Sequence, residues 1–236
     1  MSILETFLKK GAKLNKIFHG WKTLIHHAAG SGNFVMVNWL IDHGFNVNTI
    51  EKDCQSPLHA AVHEDNNIKV ISILLDHGAD INYLSREKLS GKHRLETTPL
   101  HLASMRNDTC DNINFLIKKG AQIDMETSEG ETPLHFAALY NEEPKIIACL
   151  LENGAYINKK NKNGITPLYY ATHNKNSQIA IDLIRAGASI NDEISIRIWF
   201  RLKLRDTTLK RLKRHKDWRI FKTEIQEGGL NRTCRF

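Results

Sequence analysis

Four histidines stand at regular spacing along this chain, and they are the first residues that could do chemistry. His26, His59, His101 and His135 follow one another at intervals of 33, 42 and 34 residues, and Tyr169 takes the same place 34 residues further on. An imidazole repeated in this way is the side chain expected of a metal site or a general base. Either chemistry needs convergence: several ligands on one ion, or a base beside a nucleophile and an orienting acid. No carboxylate or cysteine recurs at a matching position beside these histidines. The four cysteines, Cys54, Cys110, Cys149 and Cys234, show neither C-x-x-C nor Cys/His ligand spacing. The chain also has no glycine-rich phosphate loop and no Ser/His/Asp or Cys/His set. The expectation is therefore no catalysis, no cofactor and no metal. The further histidines, His27, His43, His63, His77 and His173, vary from copy to copy.

The elements that position these histidines recur with them. Gly11, Gly44, Gly78, Gly120, Gly154 and Gly187 keep intervals of 33, 34, 42, 34 and 33 residues, and each lies 18 or 19 residues after a turn residue wherever one precedes it. From glycine to the next turn residue is 15 residues, except between Gly78 and His101, where 23 imply an insertion of eight. The clearest copy, Gly130 to Asn158, reads as a Thr-Pro-Leu-His turn, a short helix, a polar break at Asn141 to Glu143, a second helix and a glycine stop. Such a unit cannot bury its own apolar faces and must stack on copies of itself. Ala28, Ala29, Ala60, Ala61 and Ala103 are small enough for close helix approach, while Val35, Val37, Leu40 and Ile41 are expected to face inward from the second helix of the first full copy. That copy has Thr23-Leu24-Ile25-His26 and so lacks the proline that would fix φ at its turn. Each glycine suits the left-handed residue that ends a helix, and Asn48, Asn82, Asp124 and Asn158, four residues later, are placed to bond turn backbone.

Period and turn signature together resemble the ankyrin repeat family over roughly residues 1–192. The resemblance implies an all-α solenoid of stacked helix pairs with β-hairpin fingers. It divides the chain into a half repeat at 1–15, repeats at about 16–48, 49–82, 83–124, 125–158 and 159–191, and a basic tail or degenerate cap at 193–236. It also assigns the turn histidines to hydrogen bonds between repeats, and it implies a non-catalytic scaffold or adaptor whose concave groove and fingers bind a protein partner. Reading four and five residues beyond each turn residue for the groove gives Gly30 and Ser31, His63 and Glu64, Met105 and Arg106, Leu139 and Tyr140, His173 and Asn174. Met105, Arg106, Leu139 and Tyr140 are expected to form one adjoining patch of residue types common at interface hot spots. The fingers differ in sign: Glu126 and Glu129 make one acidic, and Lys159, Lys160 and Lys162 make the next basic. The inserted finger, Leu84 to Glu96, carries Arg86, Lys88, Lys92 and Arg94 and reads either as a solvated loop or, being a single insertion in an even array, as an added partner contact.

The composition, 41% apolar and 25% charged, suits a packed array. Its net charge of +7 is unevenly placed: from Glu193 onward 13 Lys/Arg face 5 Asp/Glu, a balance of +8 that leaves −1 for the rest. Within that tail the alternation from Ile194 to Leu204 favours a strand. The run Lys210, Arg211, Lys213, Arg214 and Lys216 suits a nuclear import signal, a nucleic-acid contact or an anionic lipid surface. A binder of nucleic acid or membrane surface acting through this tail is the alternative to the protein-binding groove. No apolar run reaches the length of a membrane span, no leader with an apolar core is evident, and the scattered cysteines fit a reduced intracellular setting. A monomer is expected.

Overall fold

In the computed structural model the residues described are 23–51, 55–64, 68–88, 94–106 and 109–189. The half repeat at 1–15 and the tail from 193 lie outside them. Among the described residues ten helices and one pair of strands run in the order α1 (Leu24–Gly30), α2 (Phe34–Asp42), α3 (Pro57–Glu64), α4 (Ile68–Asp76), β1 (Ser85–Lys88), β2 (Arg94–Thr97), α5 (Pro99–Arg106), α6 (Asp111–Lys118), α7 (Pro133–Tyr140), α8 (Pro144–Glu152), α9 (Pro167–Ala171) and α10 (Gln178–Arg185). They group into two compact units. One runs to Ala103 and takes in Phe115–Ala121, and the other comprises Ser104–Asn114 and the residues from Gln122 onward.

The turn sequence sets each first helix. Proline opens α3, α5, α7 and α9, where its missing N–H has no helical partner to lose and its fixed φ is already helical. Helix α1 starts in the same register on Leu24, so the absent proline does not unmake the turn. Thr23 holds the extended conformation (φ −85°, ψ 167°) that Thr132 (−103°, 167°) and Thr166 (−98°, 163°) also hold. Its hydroxyl lies 2.8 Å from His26 Nδ1.

Each second helix ends alike. Gly44, Gly78, Gly120, Gly154 and Gly187 have φ between +80° and +103°. In these five copies the glycine N–H and the next N–H turn back onto the helix, as Gly154 N does to Leu151 O and Ala155 N to Leu150 O, both at 3.0 Å. This pairing satisfies carbonyls that a helix end would otherwise leave open.

In the first unit α1 packs on α3 and α2 on α4; in the second, α7 packs on α9 and α8 on α10. Leu40, Leu74, Leu116, Leu150 and Leu183, one from each second helix, are fully buried, as are Ala29, Ala61, Ala103, Ala137 and Ala171. One inward assignment fails: Val35 is 52% exposed, whereas Val37 and Leu40 are wholly buried. Residues one turn apart share a helix face, and Val35, two positions before Val37, falls on the opposite one.

The fingers are held to one another by side chains. Asn48, Asn82 and Asn158 reach the neighbouring copy: Asn48 receives Asp80 N at 2.9 Å and donates to Gly78 O at 2.8 Å, Asn82 donates to Gly120 O, and Asn158 receives Ser189 N. Asp124 likewise receives Tyr156 N at 3.2 Å. Each therefore bonds the turn of the following copy. The inserted finger is an ordered antiparallel ladder pairing Ser85 with Thr97 and Lys88 with Arg94, so the solvated-loop reading does not hold for its base. Ser85 and Thr97 are completely buried, with hydroxyls 2.9 Å apart.

Candidate functional site

Three of the turn histidines, His26, His59 and His135, are committed to the stack, and His101 Nδ1 lies 2.8 Å from Thr98 Oγ1. His26 Nε2 lies 3.1 Å from Gln55 O, His59 Nε2 2.9 Å from Thr97 O and His135 Nε2 3.1 Å from Ile165 O. A carbonyl only accepts, so each Nε2 carries the proton, and Nδ1 is left to accept from the hydroxyl three residues earlier. Those contacts are 2.8 Å from Ser56 to His59 and 2.9 Å from Thr132 to His135, where Thr132 N–H also donates at 3.1 Å. Burial lowers His59 and His135 to about 4, against the backbone carbonyls of Thr97 and Ile165, which raise them. Both rings are thus neutral at pH 7 with each nitrogen in use.

The four residues expected to form the groove patch, Met105, Arg106, Leu139 and Tyr140, all belong to the second unit. In α7, Pro133 to Ala138 are buried, Leu139 is half-buried and Tyr140 is 50% exposed. The Tyr140 ring leans on Phe136 with centroids 6.0 Å apart, and burial first, then the Glu131 carboxylate, pushes its phenol above the usual tyrosine range. Met105 is half-buried and Arg106 exposed, so the last turns of α5 and α7 both present side chains outward. His173 is exposed, its ring 5.2 Å from that of Tyr169. His63 is half-buried and engaged, and the Glu64 side chain lies outside the described residues.

Two assignments for the groove are corrected. Gly30 is buried, and so is Asn174, 1% exposed, whose amide donates to Ala138 O at 3.0 Å and Asn141 O at 2.7 Å. A side-chain amide that satisfies carbonyls at the end of the preceding copy's helix is a structural tie. Asn141 does the same for Ser104 O at 3.0 Å.

The oppositely charged fingers meet through one ion pair. Lys159 Nζ lies 2.6 Å from Glu126 Oε1, and this pairing raises the lysine pKa. Glu129 is exposed but its carbonyl takes Lys162 N at 2.9 Å, while Lys160 and the Lys162 side chain remain exposed. In the hairpin, Arg86 Nε lies 3.5 Å from the nearly buried Glu96 carboxylate. Lys88 and Arg94 are backbone partners in the ladder, their side chains lying outside the described residues, as do Lys92 and the cluster from Lys210 to Lys216.

Sequence reasoning missed Tyr170. Its hydroxyl donates to Glu131 Oε1 and receives Asn161 Nδ2 at 3.3 Å, and its ring stands edge-on to His135 at 5.7 Å. Burial and the Glu131 contact raise its pKa. Asn161 was missed too: its Oδ1 takes Asn163 N at 3.0 Å and Ile165 N at 2.9 Å, shaping the finger turn. Thr127 fills this role one copy earlier through Glu129 N and Glu131 N, both at 3.2 Å. The signal was available, since Thr127 and Asn161 are 34 residues apart, as are the left-handed Gly130 and Gly164 that close those turns.

Helix pairs tied by buried imidazoles, capped by left-handed glycines and showing their variation in exposed first-helix turns and fingers define an all-α interaction repeat. A family model described as "Ankyrin repeats (3 copies)" matches residues 1–85 and 100–194, lapsing across the inserted hairpin. The chain belongs to the ankyrin-repeat family, and its fold is the all-α ankyrin solenoid. Ankyrin repeats are protein–protein interaction modules and are generally non-catalytic. No curated protein matches this sequence.

Proposed function

We propose that this protein is a non-catalytic scaffold or adaptor whose second unit grips a protein partner through Tyr140, Leu139, Met105 and Arg106, with the adjoining fingers adding specificity. The observation that supports this most is Tyr140. Every residue before it in α7 is wholly or partly withdrawn from solvent, yet this aromatic stays half exposed on a rigid helix. An amphipathic ring held by Phe136 loses little freedom when it is covered, and that is the property of a hot-spot residue. Arg106 offers a forked donor for a carboxylate of the same partner.

The test compares wild-type protein with Tyr140→Ala and Arg106→Ala as baits for co-purified proteins. Arg106→Ala is expected to keep the wild-type melting temperature, because its side chain is exposed, Tyr140→Ala to lower it only slightly, because half of the residue is already in solvent, and both to lose the same partner at least tenfold. Full retention of that partner by both variants overturns the reading.

A further inference from the structure

The four cysteines look unrelated in the sequence, but stacking brings two of them together in the second unit. Cys110 immediately precedes the first residue of α6, and Cys149 sits in the middle of α8. Their contacts are reciprocal. Cys110 Sγ lies 3.5 Å from the carbonyl of Lys145, the residue one turn before Cys149. Cys149 Sγ lies 3.4 Å from Oδ1 of Asn114, the residue one turn after Cys110. Asn114 N–H in turn donates to Cys110 O at 2.8 Å, and Asn153 Nδ2 joins the cluster at 2.8 Å from Asn114 Oδ1. Helical side chains lean toward the N-terminus, so Cys149 points back along α8 toward the Lys145 carbonyl that Cys110 touches. Both thiols are free, Cys110 half exposed and Cys149 buried. Burial, and next the Cys110 thiol itself, push Cys149 up to about 12, so it holds its proton at neutral pH.

We propose that Cys110 and Cys149 form a reversible disulfide that ties α6 to α8, making this repeat junction a peroxide-sensitive lock. The half-exposed partner meets the oxidant first. The Cys110 thiolate attacks one oxygen of hydrogen peroxide, breaking the O–O bond to give a sulfenic acid and hydroxide. The buried Cys149 sulfur then attacks the Cys110 sulfur; the S–O bond breaks, the departing oxygen takes the Cys149 proton, and water leaves. A dithiol reductant reverses the step by exchange. Oxidised, the bond joins positions 39 apart in the sequence and restricts the unfolded chain accordingly.

The test uses full-length protein carrying Cys54→Ser and Cys234→Ser, so that only the pair remains. It is treated with hydrogen peroxide, alkylated and digested without reduction. The expected product is one cross-linked peptide pair joining Cys110 to Cys149, two hydrogen atoms lighter than the reduced peptides. Dithiothreitol is expected to reverse it, Cys110→Ser or Cys149→Ser to abolish it, and the oxidised protein to melt at a higher temperature than the reduced one. A Cys110 that ends as sulfinic or sulfonic acid, with Cys149 still free, overturns the disulfide. An oxidised protein that melts no higher than the reduced form overturns the lock.

Discussion

Acidification from pH 7 to pH 5 is expected to destabilise each unit through its buried turn histidine, by about 2 kcal/mol for His59 and as much for His135. Both rings are held at about 4 in the fold, against about 6.5 in the unfolded chain. A depressed folded-state value means that the unfolded chain takes up the proton first as pH falls. The stabilisation of the neutral ring is therefore complete above about pH 6.5, is lost progressively between pH 6.5 and 4, and changes no further below that. A difference of some 2.5 units is worth roughly 3.4 kcal/mol by pH 4, and about half of that is lost by pH 5. The cause is geometric. A proton added at Nδ1 of His135 would face the Thr132 N–H at 3.1 Å and would oblige the Thr132 hydroxyl, 2.9 Å away, to turn from donor to acceptor in a buried site. Urea unfolding at pH 7, 6 and 5 reads the loss, and the imidazole proton resonances read the titration directly. His135→Gln keeps a donor for Ile165 O but cannot titrate, so its stability is expected to fall with pH by about one proton less, roughly 1.4 kcal/mol per pH unit near pH 5. An unchanged slope in that variant, or a His59 or His135 resonance titrating near 6.5 in the folded protein, refutes the reasoning.

Three further outcomes are expected. Gly130→Ala places a Cβ 2.9 Å from the backbone nitrogen of Lys162 at φ +78°, whereas Gly44→Ala at φ +80° meets nothing within 4 Å; by urea unfolding the second is expected to cost about 1 kcal/mol and the first about twice that or more. Tyr170→Phe removes the donor to Glu131 and the acceptor for Asn161, and a loss of about 1–2 kcal/mol is expected in the same assay. If the tail carries an anion-binding activity, deletion of residues 206–236 abolishes retention on heparin, and the wild-type retention weakens steeply as salt rises.

The repeat was legible because its markers answer to local physics. A helix stop that needs positive φ selects glycine, and a turn that must donate across to the next copy selects histidine, so both hold their phase through an insertion. What the sequence hid depends on the distance between neighbouring copies. Glu131 and Tyr170 are 39 residues apart, as are Cys110 and Cys149, so neither pair occupies equivalent positions and no in-phase comparison exposes it. Val35 was misassigned for a related reason: an apolar run does not say which of its members turns outward. The charged fingers misled differently. Read singly, Glu126 and Lys159 look available to a partner, but adjacent copies place them 2.6 Å apart.

The inserted hairpin leaves the stack undisturbed. The carbonyls that receive the imidazoles of His26, His59 and His135 belong to the residue just before the following turn: Gln55, Thr97 and Ile165. The ladder from Ser85 to Thr97 returns the chain to that carbonyl after eight additional residues, so the junction senses only where the chain re-enters and not the path it took. Loop closure grows costlier only slowly with length. This finger is therefore a graft point, where a foreign peptide can replace the tip beyond Lys88 and Arg94 while the histidine relay beneath it stays whole.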